Sequence, residues 1–496
     1  MPLPQYDEVH VISDLHMGGE SGFQILRETE KLAGFIRWVA EQKPDGRVAL
    51  VLNGDVIDTL AEESGGYIAV DNAEAVVKRI MADPAFAPVW ASLADFVKIA
   101  NRTLVMVLGN HDLEMSFPGV QRLVVERLAG DDPLARARIE FSTMGAGFSC
   151  LVGGSRVFCT HGNEVDAWNY TRYEDLARAG RRLSSGRSLK PSEWEPNAGT
   201  MMVKDVMNTV KKDYPWIDLL KPEMQAAVGV LLALDPGQVE KINRLLPIIG
   251  EKVVGSMEVD QRLSAEGFIA PAKKEARPAS VDSLLGPSLM EGLRSGAGAN
   301  RPTADALLLS AERKYKTGSA VTDPHDETLG TGQYLWDRFT GWFRGVSKVE
   351  ALRRALKDWL KDDRTFDIKD RDETCKEVVA SVGQGIHFLV TGHTHLERAI
   401  DLGGGRFYFN CGTWIRLLKF SKAMLEDETA FTPVYELLVN GTMEKIDKKD
   451  FNGQPFVMPQ QSAVSIRVEA GKVVGRLLHI EGIDPVSPKT IQQFTR

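Results

Sequence analysis

The stretch from residue 48 to residue 58 reads Val-Ala-Leu-Val-Leu-Asn-Gly-Asp-Val-Ile-Asp, and it decides the fold class. Its first half is a short apolar run rich in Val and Leu, which predicts a β-strand. Its second half turns at a glycine and places Asp55 and Asp58 directly after that strand. The stretch therefore predicts a strand whose carboxyl end runs into a loop bearing carboxylates.

The same pattern, an apolar run followed by Asp, His or Asn, occurs four more times. The runs at 9–12, 103–108, 156–159 and 386–390 lead into Ser13-Asp14-Leu15-His16, Gly109-Asn110-His111-Asp112, Thr160-His161-Gly162-Asn163 and Thr391-Gly392-His393-Thr394-His395. Five of the nine histidines lie in these loops. Because loops at the carboxyl ends of strands in open α/β sheets converge on one crevice, we expect these side chains to form one site.

The helix and strand patterns indicate one α/β domain interrupted by an insertion. Between the first two strands, Leu32, Phe35, Ile36 and Val39 fall at i, i+3, i+4 and i+7, which predicts a helix with one apolar face. From about 165 to 380 the sequence is mostly helical and polar, and a segment near 270–303 is rich in Ala, Pro, Gly and Ser, as in mobile linkers. Strand signals resume at 386–390 and 406–410, with β-like runs near 433–439 and 463–480. We therefore predict an α/β domain formed by 1–165 and 381–496, which would carry the site, and a helical insertion at 166–380.

Composition narrows the class of protein. The 496 residues are 43% hydrophobic and 26% charged, values ordinary for a folded globular protein. The net charge of −8 disfavours a large nucleic-acid-binding surface. The four cysteines are scattered without a Cys-x-x-Cys pair, which predicts buried thiols in a reducing compartment. With neither a signal peptide nor a membrane-spanning run in the sequence, the expected location is the cytoplasm.

The residue types in the five loops indicate metal ions. Carboxylate and imidazole ligands without nearby thiolates suit Mn²⁺, Fe²⁺ or Zn²⁺. The candidates are too numerous for one four-coordinate structural zinc site, whereas two ions about 4 Å apart that share a carboxylate would use them all. Two divalent metal ions are therefore the expected cofactor, with Mn²⁺ as the first choice.

The motif order Asp-x-His, Gly-Asp-x-x-Asp, Gly-Asn-His-Asp, His-Gly and Gly-His-x-His resembles the calcineurin-like metallophosphoesterases. The resemblance covers roughly 1–165 and 385–415. It implies a four-layer α/β/β/α sandwich with the long insertion as a helical cap. It also implies a phosphomonoesterase or phosphodiesterase in which hydroxide between the two ions attacks phosphorus in line.

The resemblance also implies a role for each motif residue. Asp14, His16 and His395 would bind one ion, Asn110, His161 and His393 the other, and Asp55 would bridge both. His111 would stabilise or protonate the leaving oxygen, with Asp58 as the carboxylate that orients its ring and raises its pKa. Two alternatives stay open, because Asp58 could instead be a carboxylate at a helix N-terminus and Asp112 could support the site from behind.

The insertion contains weaker candidates for substrate contact. Arg181, Arg182 and Arg187 could hold a substrate phosphate, although such a basic run is more often a solvated face. The stripe formed by Trp336, Phe339, Trp342 and Phe343 could touch a lipid surface, although packing inside the cap is the simpler interpretation. The apolar stretch 226–234 is expected to be buried.

The substrate class stays open at this level. The first hypothesis is a soluble phosphorylated small molecule. The second is a lipid-pathway diphosphatase resembling UDP-2,3-diacylglucosamine hydrolases, suggested by Asp166 and Tyr170 but weakened because that family usually has Arg where this chain has His111, in chains about half as long. A nuclease and a non-catalytic scaffold are further alternatives, and the sequence does not determine the oligomeric state.

Overall fold

The computed structural model describes residues 2–190, 193–221, 346–359, 365–451, 453–459 and 461–496, together with Val230, Leu234, Val259 and Arg262. The predicted linker at 270–303 and the aromatic stripe at 336–343 lie outside the described residues. The apolar stretch 226–234 is described only at Val230 and Leu234, and both are buried.

The described elements alternate between strands and helices in the first half of the chain. The strands are β1 (Gln5–Tyr6), β2 (Glu8–Ile12), β3 (Val48–Asn53), β4 (Arg102–Val107), β5 (Ile139–Ser142), β6 (Phe148–Val152), β7 (Ser155–Cys159), β8 (Phe388–Thr391), β9 (Arg398–Gly403), β10 (Arg406–Asn410), β11 (Arg416–Leu418), β12 (Asp450–Phe451), β13 (Gln454–Pro455), β14 (Val457–Pro459), β15 (Ser462–Glu469), β16 (Lys472–Glu481) and β17 (Ser487–Thr495). The helices are α1 (Thr29–Glu41), α2 (Ala73–Ala82), α3 (Ala87–Lys98), α4 (Pro118–Ala129), α5 (Pro133–Arg136), α6 (Tyr173–Ser184), α7 (Ala198–Met201), α8 (Asn208–Val210), α9 (Lys348–Trp359), α10 (Glu373–Ser381), α11 (Glu428–Asn440) and α12 (Met443–Asp447), with a π-helix at Met202–Met207. Short 3-10 helices lie at Thr59–Ala61, Pro84–Phe86, Leu113–Ser116, Asn163–Val165, Ile217–Leu219 and Ala423–Leu425.

Two sheets carry the fold. A seven-stranded sheet has the order β17-β16-β15-β2-β3-β4-β5, in which β2 to β5 run parallel and β15 to β17 are antiparallel. A six-stranded sheet has the order β1-β6-β7-β8-β10-β9. Because β2, β3 and β4 are adjacent and parallel, while β7 and β8 are adjacent and parallel in the other sheet, the loops after these strands leave at matching sheet edges.

The strand sequences explain why the sheets stack. In β3, Ala49 and Val51 face the second sheet and pack in one core with Val157, Phe388 and Val390. The alternate residues of β3 face the helices on the outer side of the first sheet. A strand buried on both faces has to be apolar at every position, which accounts for the run at 48–52.

Helices cover both outer faces. The apolar face predicted for 32–39 lies on α1, and its residues are fully buried against the first sheet. On the second sheet, Cys375 and Val378 of α10 pack on Leu389 and Tyr408. The arrangement is the predicted α/β/β/α sandwich, and the fold prediction is confirmed.

The insertion shares a second core with part of the C-terminal third. Trp216 and Leu220 of the insertion and Leu352 of α9 pack in one cluster with Phe431 and Phe456. The indole of Trp216 donates a hydrogen bond to the carbonyl oxygen of Leu438, at 2.7 Å. Residues of 418–457 lie in sequence between β10 and β15 of the sandwich, yet they pack with the insertion. The domain boundaries stay a prediction.

The prediction of a strand near 433–439 is wrong, because these residues lie in α11. Phe431, Val434 and Leu438 recur at i, i+3 and i+7 and are all buried, which is the helical period. The branched and aromatic composition of the run suggested a strand, but the packing surface offered by Trp216 and α9 selects the helix. The runs at 463–480 do form strands, β15 and β16.

Two composition-based expectations can be compared with the described residues. All four cysteines are free and buried, as predicted. Within the described part of the chain, no helix is both long and apolar enough to cross a membrane.

Candidate metal centre

The loops after β2, β3 and β8 meet at one sheet edge and are tied together by their own backbones. The amide of Asp14 donates to the carbonyl oxygen of Gly54 at 3.1 Å, and the amide of His16 donates to that of Asp55 at 2.9 Å. The amide of His393 donates to the Asp14 carboxylate at 3.0 Å. These bonds fix three motif loops relative to one another before any ion is considered.

The backbone is strained at the same place. Among the described residues, eight that are not glycine have positive φ, and five of them are motif residues: Asp14 (55°), His16 (49°), Asp55 (52°), His393 (69°) and His395 (59°). A left-handed backbone is costly for side chains with a Cβ and persists where the surroundings enforce it, most often at functional sites. The strain aims these side chains into one pocket.

Asp14, His16, Asp55 and His395 form the tightest group. One ligand atom from each lies within 4.8 Å of the others, and all four residues are buried. The Nε2 atoms of His16 and His395 are 3.0 Å apart, and His395 Nε2 lies 3.2 Å from Asp14 Oδ1. This is the group predicted to bind the first ion, with Asp55 at its edge.

The second predicted group lies on the other side of Asp55. His161 Nε2 is 3.2 Å from Asp55 Oδ2, and the rings of His161 and His393 are 5.3 Å apart. His161 Nδ1 lies 2.8 Å from the Asn53 carbonyl oxygen, which can only accept, so Nδ1 carries a proton and Nε2 is the ring nitrogen that faces Asp55. Asp55 therefore touches both groups, which is the position that a bridging carboxylate requires.

The donor atoms fit a pair of divalent cations. Asn110 Oδ1 and His161 Nε2 are buried without a hydrogen-bond partner among the described residues. Buried polar atoms without partners are rare in native proteins, because each loses its hydration. Oxygen and imidazole nitrogen donors without a thiolate suit Mn²⁺, Fe²⁺ or Zn²⁺. The buried ligand atoms without hydrogen-bond partners, and the combination of oxygen and nitrogen ligands, thus agree with a binuclear metal site.

The electrostatics favour cations strongly. Burial would raise the pKa of Asp14, but the attraction of His395 together with that of His161 outweighs burial and holds that pKa at about 2. The pKa of Asp55 lies well below its ordinary value, because His161, His111 and His16 outweigh its burial. Burial lowers the pKa of His161, but the Asp55 carboxylate outweighs it and raises that pKa to about 10. The same anionic field that holds a proton on His161 attracts a divalent cation, which would compete with that proton.

His111 and Asp58 lie next to the first group. His111 Nδ1 is 3.1 Å from Asp58 Oδ1, and the His16 and His111 rings are 4.7 Å apart. The pKa of Asp58 is held well below its ordinary value because the attraction of His111, then of His16, outweighs burial. Asp58 also accepts a hydrogen bond from the Ala61 amide at 3.0 Å, so it is the N-cap of a 3-10 helix as well. Both interpretations of Asp58 therefore describe real contacts.

Asp112 and Asp166 support the site from behind. Asp112 accepts hydrogen bonds from the amides of Gly109, at 2.7 Å, and Val56, at 2.9 Å, and so ties the loops after β3 and β4 together. Asp166 Oδ2 lies 2.8 Å from His393 Nε2, an arrangement that orients an imidazole for binding through its other nitrogen. In the sequence, Asp166 supports only the lipid-pathway resemblance, since nothing in its spacing indicates a contact with His393.

The basic run of the insertion is not gathered into this centre by any described contact. Arg182 pairs with Glu193 at 3.1 Å, and Arg181 is exposed on α6. Arg187 lines a separate cavity of about 300 Å³ between the end of α6 and the start of α4, and none of the predicted metal ligands lines that cavity. A substrate role for the three arginines stays a prediction.

Gly109 allows the loops after β3 and β4 to approach, and an alanine there should disturb the centre. A Cβ at this position would overlap Asp55 Oδ1 and the Asp55 backbone nitrogen. We expect Gly109→Ala to weaken metal binding by about 10- to 100-fold, as for other changes that displace a ligand's support. Titration of the metal-free protein with Mn²⁺ measures this constant. Gly385→Ala, where a Cβ meets nothing, is the matched control, and equal affinity in both variants would contradict the role of Gly109.

Comparison with known proteins agrees with this geometry. Residues 8–199 match the family model described as calcineurin-like phosphoesterase. A search among curated proteins finds no significant match. His393 and His395 lie beyond the matched residues, yet the fold places them against Asp14 and His16. The family and the Asp–His cluster support metal-dependent phosphoester hydrolysis in general terms. The comparison therefore shows, for residues 8–199, a likeness to the calcineurin-like phosphoesterase family.

Proposed function

We propose that the chain is a binuclear metallophosphoesterase that hydrolyses phosphomonoesters or phosphodiesters of small molecules. Asp14, His16 and His395 would hold one divalent ion. Asn110, His161 and His393 would hold the second, and Asp55 would bridge the two. The observation that carries this proposal is the position of Asp55, whose carboxylate lies 3.8 Å from His16 Nε2 and 3.2 Å from His161 Nε2.

When bound, two such ions supply Lewis-acid polarisation of the phosphoryl oxygens and acidify a coordinated water. The protein's own contribution is orientation and charge. The Asn53 carbonyl oxygen fixes the tautomer of His161, and Asp166 fixes the ring of His393. Each contact leaves one ring nitrogen of its histidine available as a ligand, so the donors need not reorganise when ions bind.

His111 is the proposed general acid. Its side chain is more exposed than that of Asp58, at 15% against 5%, so it faces the substrate side of the pair. Asp58 holds the ring through Nδ1, which leaves Nε2 to donate a proton to the leaving oxygen. An imidazolium beside two cations would lose its proton readily, and the adjacent Asp58 carboxylate opposes that loss.

A substrate panel tests the proposal. It contains p-nitrophenyl mono- and diesters, nucleotides, single-stranded DNA and a UDP-sugar diphosphate, each with Mn²⁺, Zn²⁺, Fe²⁺ or Mg²⁺. We expect turnover of p-nitrophenyl esters, fastest with Mn²⁺. Strong cleavage of the UDP-sugar diphosphate with esters at background would support the lipid-pathway alternative instead. Cleavage confined to DNA would support a nuclease.

Removing the ions should abolish turnover and also lower stability. Asp14 and Asp55 are buried carboxylates whose charge a bound cation would neutralise. A site filled at 100 times its Kd stabilises a protein by about 2.7 kcal/mol. We expect treatment with a chelator to eliminate activity and lower the melting temperature, and Mn²⁺ to restore both. A melting temperature that no divalent ion changes would contradict the metal site itself.

A further inference from the structure

One segment of the insertion, 202–221, lies over the first metal group, and it is tied there by side chains. The Lys204 ammonium donates to the Glu62 carbonyl oxygen at 2.7 Å and to Ser64 Oγ at 3.1 Å. The Asn208 side chain donates to the Leu60 carbonyl oxygen at 2.9 Å. These partners belong to the loop that follows Asp58. The segment is thus attached to the rim of the centre.

A π-helix occupies Met202–Met207 within this segment. π-helical turns are rare and occur frequently at functional sites, where they change the direction in which side chains point. Two consecutive residues of this π-helix contact different parts of the centre. Val203 lines the cavity over the metal group, and Lys204 donates the hydrogen bond to the Glu62 carbonyl oxygen. The next lysine in the chain after the π-helix is Lys211.

Lys211 reaches the same space as the candidate general acid. A small cavity of about 10 Å³, roughly the space for one water molecule, lies between the segment and the metal group. It is lined by His16, Asp58, His111, Val203, Lys211, Asp218 and His395, with Ile25 and Ile415. Lys211 forms an ion pair with Asp218, whose side chain is 5% exposed. The pair places an ammonium group at the His111 side of the centre.

A second lysine adds positive charge nearby. Lys221 is buried and acts electrostatically on the His395 imidazole, which places its charge near that ring. A phosphoryl group that enters next to His111 and His395 would therefore meet cationic side chains from the insertion. An ammonium group binds phosphate as a compact charge that can turn between oxygens.

We propose that Lys211 binds a non-bridging phosphoryl oxygen of the substrate, exchanging its contact with Asp218 for one with the substrate. The inference rests on the proposed hydrolysis and names the residue of the insertion that gives the centre its preference for a charged phosphoryl group. Asp218 holds the ammonium in place when no substrate is present and competes with phosphate for it. Because the cavity has room for about one water molecule, a phosphoryl group fits only if lining side chains move, and the proposal assigns that movement to the Lys211–Asp218 pair.

The test measures phosphate binding and kinetics in the metal-loaded full-length protein. Inorganic phosphate is the probe, as a competitive inhibitor of p-nitrophenyl phosphate hydrolysis and in a direct titration. We expect Lys211→Ala to raise both KM and the Kd for phosphate about tenfold or more, with a smaller change in kcat. Lys211→Arg, which keeps the charge, should retain most of the affinity, and Lys212→Ala, at an exposed neighbouring lysine, should match the wild type.

Asp218→Asn separates a substrate contact from a structural ion pair. If Lys211 exchanges partners, Asp218→Asn should tighten phosphate binding, because the competitor has lost its charge. Weaker binding of the same size in Lys211→Ala and Asp218→Asn, or an unchanged constant in Lys211→Ala with normal metal content and melting temperature, would overturn the role of Lys211. Absence of turnover in the wild-type protein would instead refute the proposed hydrolysis.

Discussion

Asp55→Asn is expected to lower turnover by at least about 1,000-fold, which corresponds to a barrier about 4 kcal/mol higher. The amide has nearly the shape of the carboxylate but carries no charge, so two dications held close together lose the anion between them. The backbone carbonyl of Asp55 still accepts from Leu15 and His16, and an amide oxygen can still accept from the His111 amide. The fold should therefore persist.

Steady-state rates with p-nitrophenyl phosphate, metal content and circular dichroism check this result together. Asp131→Asn, at an exposed carboxylate, is the matched control and should behave like the wild type. An Asp55→Asn protein with intact fold and near wild-type turnover would contradict the bridging role. A wild-type protein without turnover, whose partner binding is unaffected by the substitution, would favour the scaffold alternative.

His111→Asn should lower kcat by about 100- to 10,000-fold, the usual contribution of a positioned general acid. The loss should depend on the leaving group. An alkyl phosphate has a basic leaving oxygen that needs a proton in the transition state, whereas p-nitrophenolate leaves readily without one. We therefore expect a larger loss with an alkyl phosphate than with p-nitrophenyl phosphate, with little change in metal content.

Asp58→Asn should show the same dependence on the leaving group with a smaller loss, because Asp58 acts through His111. The contact at 3.1 Å between His111 Nδ1 and Asp58 Oδ1 is the physical basis of this expectation. Loss of equal size with both leaving groups would mean that His111 only helps to bind the phosphoryl group. In that case proton donation would have to be assigned to another group.

The local patterns of the sequence predicted alternating strands and helices with one site at the strand ends, whereas the four-layer sandwich and the set of metal ligands were implied by the resemblance to a known family. The apolar runs at 48–52 and 9–12 predict strands, and parallel strands send their following loops to one edge of a sheet. The need for glycine at 54 and 109 is not visible in the local sequence, because a Cβ there would meet His161 and Asp55, which the fold brings in from distant parts of the chain.

Tertiary structure alone decided the contacts between residues distant in sequence. The bond between Asp166 and His393 joins residues 227 positions apart, and no period or spacing encodes it. The helix at 428–440 and the cavity that Lys211 shares with His111 depend on how the insertion packs on the rest of the chain. A strand or a ligand loop is specified by its own residues, whereas the partner of a buried charge is specified by whichever surface the rest of the chain brings to it.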